Sequence, residues 1–284
     1  MRTRAQRFDP RQYMRGENFE VFHYRETDPY LPEAHYHNFY EVYYLLEGDV
    51  EYWIEGRTYS LHKGEILLIK PMEFHRPVIK DKNVPYERIV VWLDKAYLEE
   101  ISSDTPLDSC FDFSSERSRV IKPSVVKRTE ITALLSELVK EYYSNEYASK
   151  ICAFGALVRF MAELNRISLS VHSDTKATEV ESPLVLGVLD YIGEHYNEEL
   201  SLDLLASRFF VSKYHLSHEF SKATGTGVYR YILLKRLISA RGLLLEGVSA
   251  TQTATLCGFK DYTSFFKAFK AEYGISPREC SSER

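Results

Sequence analysis

The last hundred residues hold one stretch written twice. The first copy reads LDLLASRFFVSKYHLSHEFSKATG and the second ATQTATLCGFKDYTSFFKAFKAEYG. Setting Ala206 on Ala254 brings Phe210 onto Gly258 and Val211 onto Phe259. With one extra residue in the second turn, Leu216 meets Phe265, Phe220 meets Phe269 and Gly225 meets Gly274. A repeat of this length must fold twice into the same small shape. Each copy reads as helix, short turn, helix. The alanines let the two helices cross closely. Ser212 and Asp261 suit the N-cap of each second helix, because their side-chain oxygens accept from the first free N–H groups. Leu216 with Phe220, and Phe265 with Phe269, are i, i+4 pairs for a core face, and Gly225 and Gly274 stand where each helix should stop.

The opposite faces of the second helices are polar and partly cationic. The first offers Ser212, Lys213, Tyr214, Ser217, His218 and Ser221, and the second Tyr262, Thr263, Ser264 and Lys267. Such groups bond phosphates or base edges, although a polar helix face is also what solvent alone selects. The connector GVYRYILLKRLISARGLLLEG carries an apolar stripe and predicts a helix of about 18 residues, roughly 27 Å long. Successive major grooves on one side of a duplex lie ~34 Å apart, so a strut of that order could present both helices to one DNA. Lys235, Arg236 and Arg241 on it could touch phosphate or merely solvate the strut.

Upstream the period changes. Residues 19–94 are short runs rich in Val, Ile, Tyr and Leu, broken at Glu47-Gly48, Glu55-Gly56 and Lys63-Gly64 and closed by Pro71. This rhythm predicts an antiparallel sandwich or barrel. Within it HYHNFYE, residues 35–41, would align His35, His37 and Glu41 on one face of an extended strand. After residue 124, Ile131, Leu134, Leu135 and Leu138 mark a helix. Ile151, Phe154, Val158, Met161 and Asn165 mark another, which could pack on its own domain or pair with its copy in a homodimer, Asn165 then setting register. The segment 168–182, followed by Pro183, reads as a linker.

Composition restricts the class. The chain of 284 residues carries a formal net charge of −5, its acidic surplus lying before residue 183, which argues against a generic nucleic-acid coat. No apolar run approaches the ~20 residues of a membrane span, and the charged start has no apolar segment of a signal peptide. Cys110, Cys152, Cys257 and Cys280 form no CxxC pair, as expected of reduced thiols in a cytoplasmic protein.

Residues 183–278 resemble the DNA-binding region of the AraC/XylS family of bacterial transcription regulators. The likeness is carried by YIGEHYNEELSLDLLA, VSKYHLSHEFSKATG, YILLKRLISARGLL and CGFKDYTSFFKAFKAEYGISP. The chain departs from the family at Ala250 and Thr253, where bulky aliphatics are usual, and at Glu279-Cys280. Residues 35–79 resemble a cupin, the small barrel at the N-terminus of many such regulators. Its pattern falls on His35, His37, Glu41 and Gly48, then on Pro71 and His75, with Pro29 near the place of a leading Gly and His75 one residue closer to Pro71 than usual.

The resemblance implies an α+β two-domain protein: a cupin-like antiparallel β-barrel with following helices, then an all-α domain with two helix-turn-helix motifs. The boundaries are 1–122 for the effector-sensing domain, 123–170 for a helical dimerisation segment, 171–182 for the linker and 183–284 for the DNA-binding domain. It implies a ligand-responsive activator of a catabolic operon. Its partners are double-stranded DNA, a small-molecule effector with sugar the first candidate, a second copy of the chain, and RNA polymerase, with no membrane. His35, His37, Glu41 and His75 would hydrogen-bond the effector while Tyr43 and Trp53 stack on it. No catalytic residue, metal or cofactor is assigned. Two alternatives stay open: a metal-binding cupin enzyme with a DNA-binding tail, and a purely structural barrel.

Overall fold

The computed structural model describes residues 6, 8, 13–16, 18–29, 34–81, 83–113, 118–170, 179–180 and 182–282. The chain divides into two compact units, 1–179 and 180–284. Of the stretch read as a linker, 171–178 and 181 lie outside the described residues, as does most of the N-terminal stretch read for a signal peptide.

In the first unit, strands β1 (Phe19–Glu26), β2 (Tyr40–Glu47), β3 (Val50–Ile54), β4 (Arg57–Leu61), β5 (Ile66–Ile69), β6 (His75–Ile79), β7 (Tyr86–Leu93) and β8 (Val120–Ile121) form two antiparallel sheets. One runs β1-β7-β2-β5-β8; in the other β6, β3 and β4 are neighbours in that order. The β3–β4 hairpin turns on Glu55 and Gly56, at φ 45° and 82°, the paired left-handed geometry that suits a twisted two-residue turn. Strand alternation sorts β2 into two cores. Tyr40, Val42 and Tyr44 face a layer made by α2 (Val125–Tyr142) and α3 (Ser149–Ser170), among Ile131, Leu135, Phe160 and Leu164. Phe39, Tyr43 and Leu45 face the barrel interior with Tyr52, Ile54, Leu67 and Trp92.

The stripe read on α3 divides. Ile151 is 72% exposed and Phe154 also lies outside, whereas Met161 and Asn165 are buried in the unit's own core. The Asn165 amide donates to the carbonyls of Leu107 (2.7 Å) and Met161 (2.9 Å). It ties the segment before the short 3-10 turn Ser109–Phe111 to α3, which corrects its reading as a register key between two copies. α1 (Lys95–Ile101) is capped by Asp94 and buries Leu98.

The second unit contains α4 (Pro183–His195), α5 (Leu202–Arg208), α6 (Lys213–Thr224), α7 (Val228–Leu245), α8 (Ala250–Leu256), α9 (Tyr262–Tyr273) and α10 (Pro277–Ser281). The repeat folds as α5–α6 and α8–α9 with α7 between them. Ser212 accepts from His215 N and Asp261 from Ser264 N, while Gly225 and Gly274 end α6 and α9 in left-handed geometry. Ala206 and Ala254 are buried at the crossings. Where the chain departs from the family, Thr253 is fully buried and Cys280 packs with Phe265, Phe269 and Leu244. Glu279 closes a capping box on Ser276.

The aligned pair Phe210 and Gly258 shares one backbone state, φ 54° and 76°. In the first copy the state is carried by a phenylalanine whose ring is 94% exposed. In the second, a Cβ would sit 2.5 Å from the Asn197 carbonyl oxygen. Strain of this kind costs of order 1–3 kcal/mol. Thermal unfolding should therefore show Gly258→Ala lowering the melting temperature of the second unit by several degrees, and Phe210→Gly leaving it unchanged or raised.

Candidate nucleic-acid interface and barrel site

On α6, Tyr214 is 83% exposed and its ring lies parallel to His218, centroids 6.2 Å apart. Lys213 is exposed and reaches Asp203 on α5 at 2.6 Å. Ser221 is exposed and Ser217 half-buried. On α9, Tyr262, Thr263, Ser264 and Lys267 are exposed. Two of the serines also serve the fold: the Ser212 oxygen caps α6, and the Ser264 hydroxyl donates to Asp261 Oδ2 at 2.8 Å. Ser217 and Ser264 line one cleft of about 1040 Å³, bounded also by Tyr229, Ile232 and Arg236 of α7 and by Lys260 before α9. The strut therefore presents parts of both second helices to a single concavity.

The strut's cations are largely occupied. Arg236 donates to the carbonyls of Tyr196 and Glu198, both at 2.7 Å, locking α7 to the α4–α5 loop. Arg241 lies over the Tyr273 ring and Lys235 over Tyr231. The phosphate role open to Arg236 in the sequence is thus taken by an internal tie. Lys260, exposed and paired with Glu199 at 2.7 Å, and Tyr229 were not singled out in the sequence. Neither sits on a second helix, where the polar-face argument looked.

In the barrel, the extended strand read over 35–41 begins only at Tyr40. His35 makes an isolated bridge to His75, each N–H donating to the other's carbonyl, and remains half-buried. The tight group is His37, Glu41 and His75, all buried, with potential ligand atoms within 4.8 Å of one another. The His35 ring stands beside it, 4.3 Å from His75 by centroids. Tyr43 points inward, but its hydroxyl donates to Tyr86 Oη at 2.6 Å and its ring packs on Tyr52. Trp53 pairs with Arg76 and Thr58, between Tyr52 and Ile54. Since those two neighbours face the barrel interior, alternation turns the Trp53 indole to the other face of β3. It does not wall the cluster. Trp92 does, unheralded in the sequence, its Nε1 donating to Glu41 Oε2 at 3.0 Å.

The histidine tautomers follow from their partners. A carbonyl oxygen can only accept, so the contacts of His37 Nδ1 with Phe39 O (3.0 Å) and of His75 Nδ1 with Glu73 O (2.9 Å) place a proton on each Nδ1. His37 Nε2 faces Glu41 Oε2 at 3.0 Å. That contact is an ion pair only if the ring is protonated, and burial opposes it. Burial holds the His37 pKa at about 3, against the raising influence of the Phe39 carbonyl and of Glu73. It also pushes His75 well below its ordinary value, aided by His35 and His37.

Two family models match the chain: an AraC-like ligand binding domain over residues 18–154 and a helix-turn-helix domain over residues 205–282. The HTH-type transcriptional activator RhaS of Escherichia coli is 23% identical over 271 residues, covering 90% of this chain and 91% of its own. Among solved structures, ToxT from Vibrio cholerae aligns at 15% identity over 93% of this chain and 98% of its own, with a TM-score of 0.39. The C-terminal domain of AraT, a response regulator from Geobacillus stearothermophilus, aligns at 28% identity over 36% of this chain and 87% of its own, with a TM-score of 0.36.

A histidine kept neutral by the fold binds fewer protons than it does unfolded, so stability falls as pH drops below the unfolded value near 6.5 and continues to fall toward about 3. At pH 5 the cost from His37 is about 2 kcal/mol relative to pH 7. Denaturant unfolding of His37→Gln should show a flatter loss of stability between pH 7 and pH 5 than the parent.

Proposed function

We infer how this protein works from what it is: a member of the AraC/XylS family, and a ligand-responsive, sequence-specific DNA-binding transcription regulator. Its DNA site is the pair of second helices, α6 and α9. The observation that carries this reading is the shared cleft, onto which Ser217 and Ser264 open from the two halves of the repeat. Tyr214, Ser217 and His218, with Tyr262, Thr263 and Ser264, read base edges. Lys213, Lys267, Ser212 and Ser221 hold phosphates.

The protein activates rather than represses, and RNA polymerase is its partner at the promoter; the activator designation of the RhaS relatives supports this. The barrel binds a small effector in the neighbourhood of the buried His37, Glu41 and His75, with a sugar or similar small catabolite as the first class to screen. Two copies act together through the exposed Ile151 and Phe154 of α3, large apolar side chains that water does not favour. The site of action is the cytoplasm; among the described residues no helix is long and apolar enough to cross a membrane. An effector changes DNA binding only through unequal affinity for two arrangements of the protein.

Two measurements test this. In fluorescence anisotropy, Lys213→Ala should weaken binding to all duplexes alike and lower the salt slope by about one, whereas His218→Ala should cost ~1–3 kcal/mol at particular base pairs and relax preference there. If both variants bind every duplex as the parent does, α6 is not a reading helix. In sedimentation, the double variant Ile151→Glu, Phe154→Glu should run as a monomer at concentrations where the parent is a dimer; a parent that is itself monomeric contradicts the α3 interface.

A further inference from the structure

Each half of the repeat carries one lysine at the entry to its second helix, and each of these lysines is held by a carboxylate. In the first copy Lys213 opens α6, and its Nζ donates to Asp203 Oδ1 at 2.6 Å. In the second, Lys260 is the extra residue of the turn, immediately before the cap Asp261, and its Nζ donates to Glu199 Oε1 at 2.7 Å. The lysines belong to different copies, yet their acids come from one short stretch: Glu199 in the α4–α5 loop and Asp203 in the first turn of α5. Glu199 and Lys260 also line the cleft that Ser217 and Ser264 share. All four side chains are more than half exposed. Exposed ion pairs add little to stability, since water serves both partners nearly as well. Stability therefore does not account for two such pairs beside the reading helices.

A carboxylate and a backbone phosphate offer an ammonium the same thing, an anionic oxygen that accepts a charge-assisted hydrogen bond. We propose that Asp203 and Glu199 compete with the DNA backbone for Lys213 and Lys260, and so hold down the sequence-independent part of DNA binding. The inference rests on reading α6 and α9 as the DNA site. Two physical consequences follow from the geometry. Each lysine must exchange one anion for another, so its net gain from a phosphate is small. The carboxylate it leaves stays close to the incoming phosphate, and like charges repel. Charge along the unit agrees: from residue 183 onward 12 lysines and arginines face 11 aspartates and glutamates, so the unit as a whole attracts a polyanion weakly. The Lys260 pair also keeps its charges at neutral pH. Its hydrogen bond lowers the pKa of Glu199 and raises that of Lys260. Backbone contacts supply nearly all non-specific binding, whereas base contacts specify. With its backbone contacts weakened, the chain stays on a duplex only where Tyr214, Ser217, His218 and their counterparts on α9 find their bases.

Full-length protein is titrated by fluorescence anisotropy against two labelled duplexes, one carrying the site enriched from a random pool and one with the same bases scrambled. The double variant Asp203→Asn, Glu199→Gln should bind both duplexes about three- to tenfold more tightly than the parent, with the preference between them unchanged. In a chain that already carries Lys213→Ala and Lys260→Ala, the same two acid changes should give a gain at least twofold smaller, because the competition they relieve is gone. The control pair Glu194→Gln, Glu246→Gln removes the same charge from exposed acids elsewhere in the unit and should leave both affinities within twofold of the parent. Circular dichroism checks that every variant is folded. A gain below twofold, an undiminished gain without the lysines, or an equal gain from the control pair overturns the proposal. A parent that binds duplex while its acid variant binds no better contradicts the competition alone. A parent and an acid variant that both ignore every duplex contradict the DNA-binding reading itself.

Discussion

Alternation along β2 governs the first unit. One face of that strand (Tyr40, Val42, Tyr44) is sealed by α2 and α3; the other (Tyr43, Leu45), with Phe39 just before the strand, builds the barrel interior. Glu41 falls on the inner face and cannot leave it, because a shift of one residue in register would exchange the two sets of side chains between the cores and set Glu41 against the apolar α2–α3 layer. A carboxylate is thereby fixed in an aromatic interior beside Trp92 and His37. Burying a charge without compensation is far costlier than burying a neutral polar group, so this residue demands partners, and the rest of the cluster is arranged around that demand.

The second unit depends on a backbone constraint. The chain must reverse direction between α5 and α6, and again between α8 and α9, within a few residues, and each time it passes through a left-handed position. In the second copy glycine is required because the Asn197 carbonyl occupies the place of a side chain. In the first copy the same state is held by Phe210, with its ring in solvent. The two reversals, the N-caps at Ser212 and Asp261, and the Arg236 tie to the α4–α5 loop give the unit its stiffness. Stiffness matters for a double grip, since two helices address one duplex productively only when little ordering remains to be done on binding.

Much of this was legible in the sequence because it is local. Caps, helix stops and the i, i+4 pairs of the repeat are written in adjacent residues, and so was the extra residue in the second turn. What was hidden depends on distant partners. His35 reads as one of a group with His37, Glu41 and His75, yet it stands beside the tight group and not in it, because the strand starts only at Tyr40 and the backbone of His35 is held in a bridge to His75, forty residues away. Trp53 was misplaced because Tyr52 and Ile54 on either side are also apolar, so alternation leaves no trace in hydrophobicity. Asn165 looked like a register key because a heptad and an ordinary core stripe are indistinguishable over two turns; its amide instead satisfies Leu107 and Met161 within the unit. Trp92 gave no signal at all, being one more aromatic in an apolar strand.

The central claim is that the duplicated helix-turn-helix reads DNA as a pair on one side of the duplex. Selection of bound duplexes from a randomised pool by the full-length chain, followed by sequencing, tests it most directly. The expected outcome is an enriched site with two short blocks of preferred bases whose centres lie about one helical turn, ~10–10.5 base pairs, apart. A pool without enrichment, or one enriched in a single block indifferent to its flanks, would contradict the account.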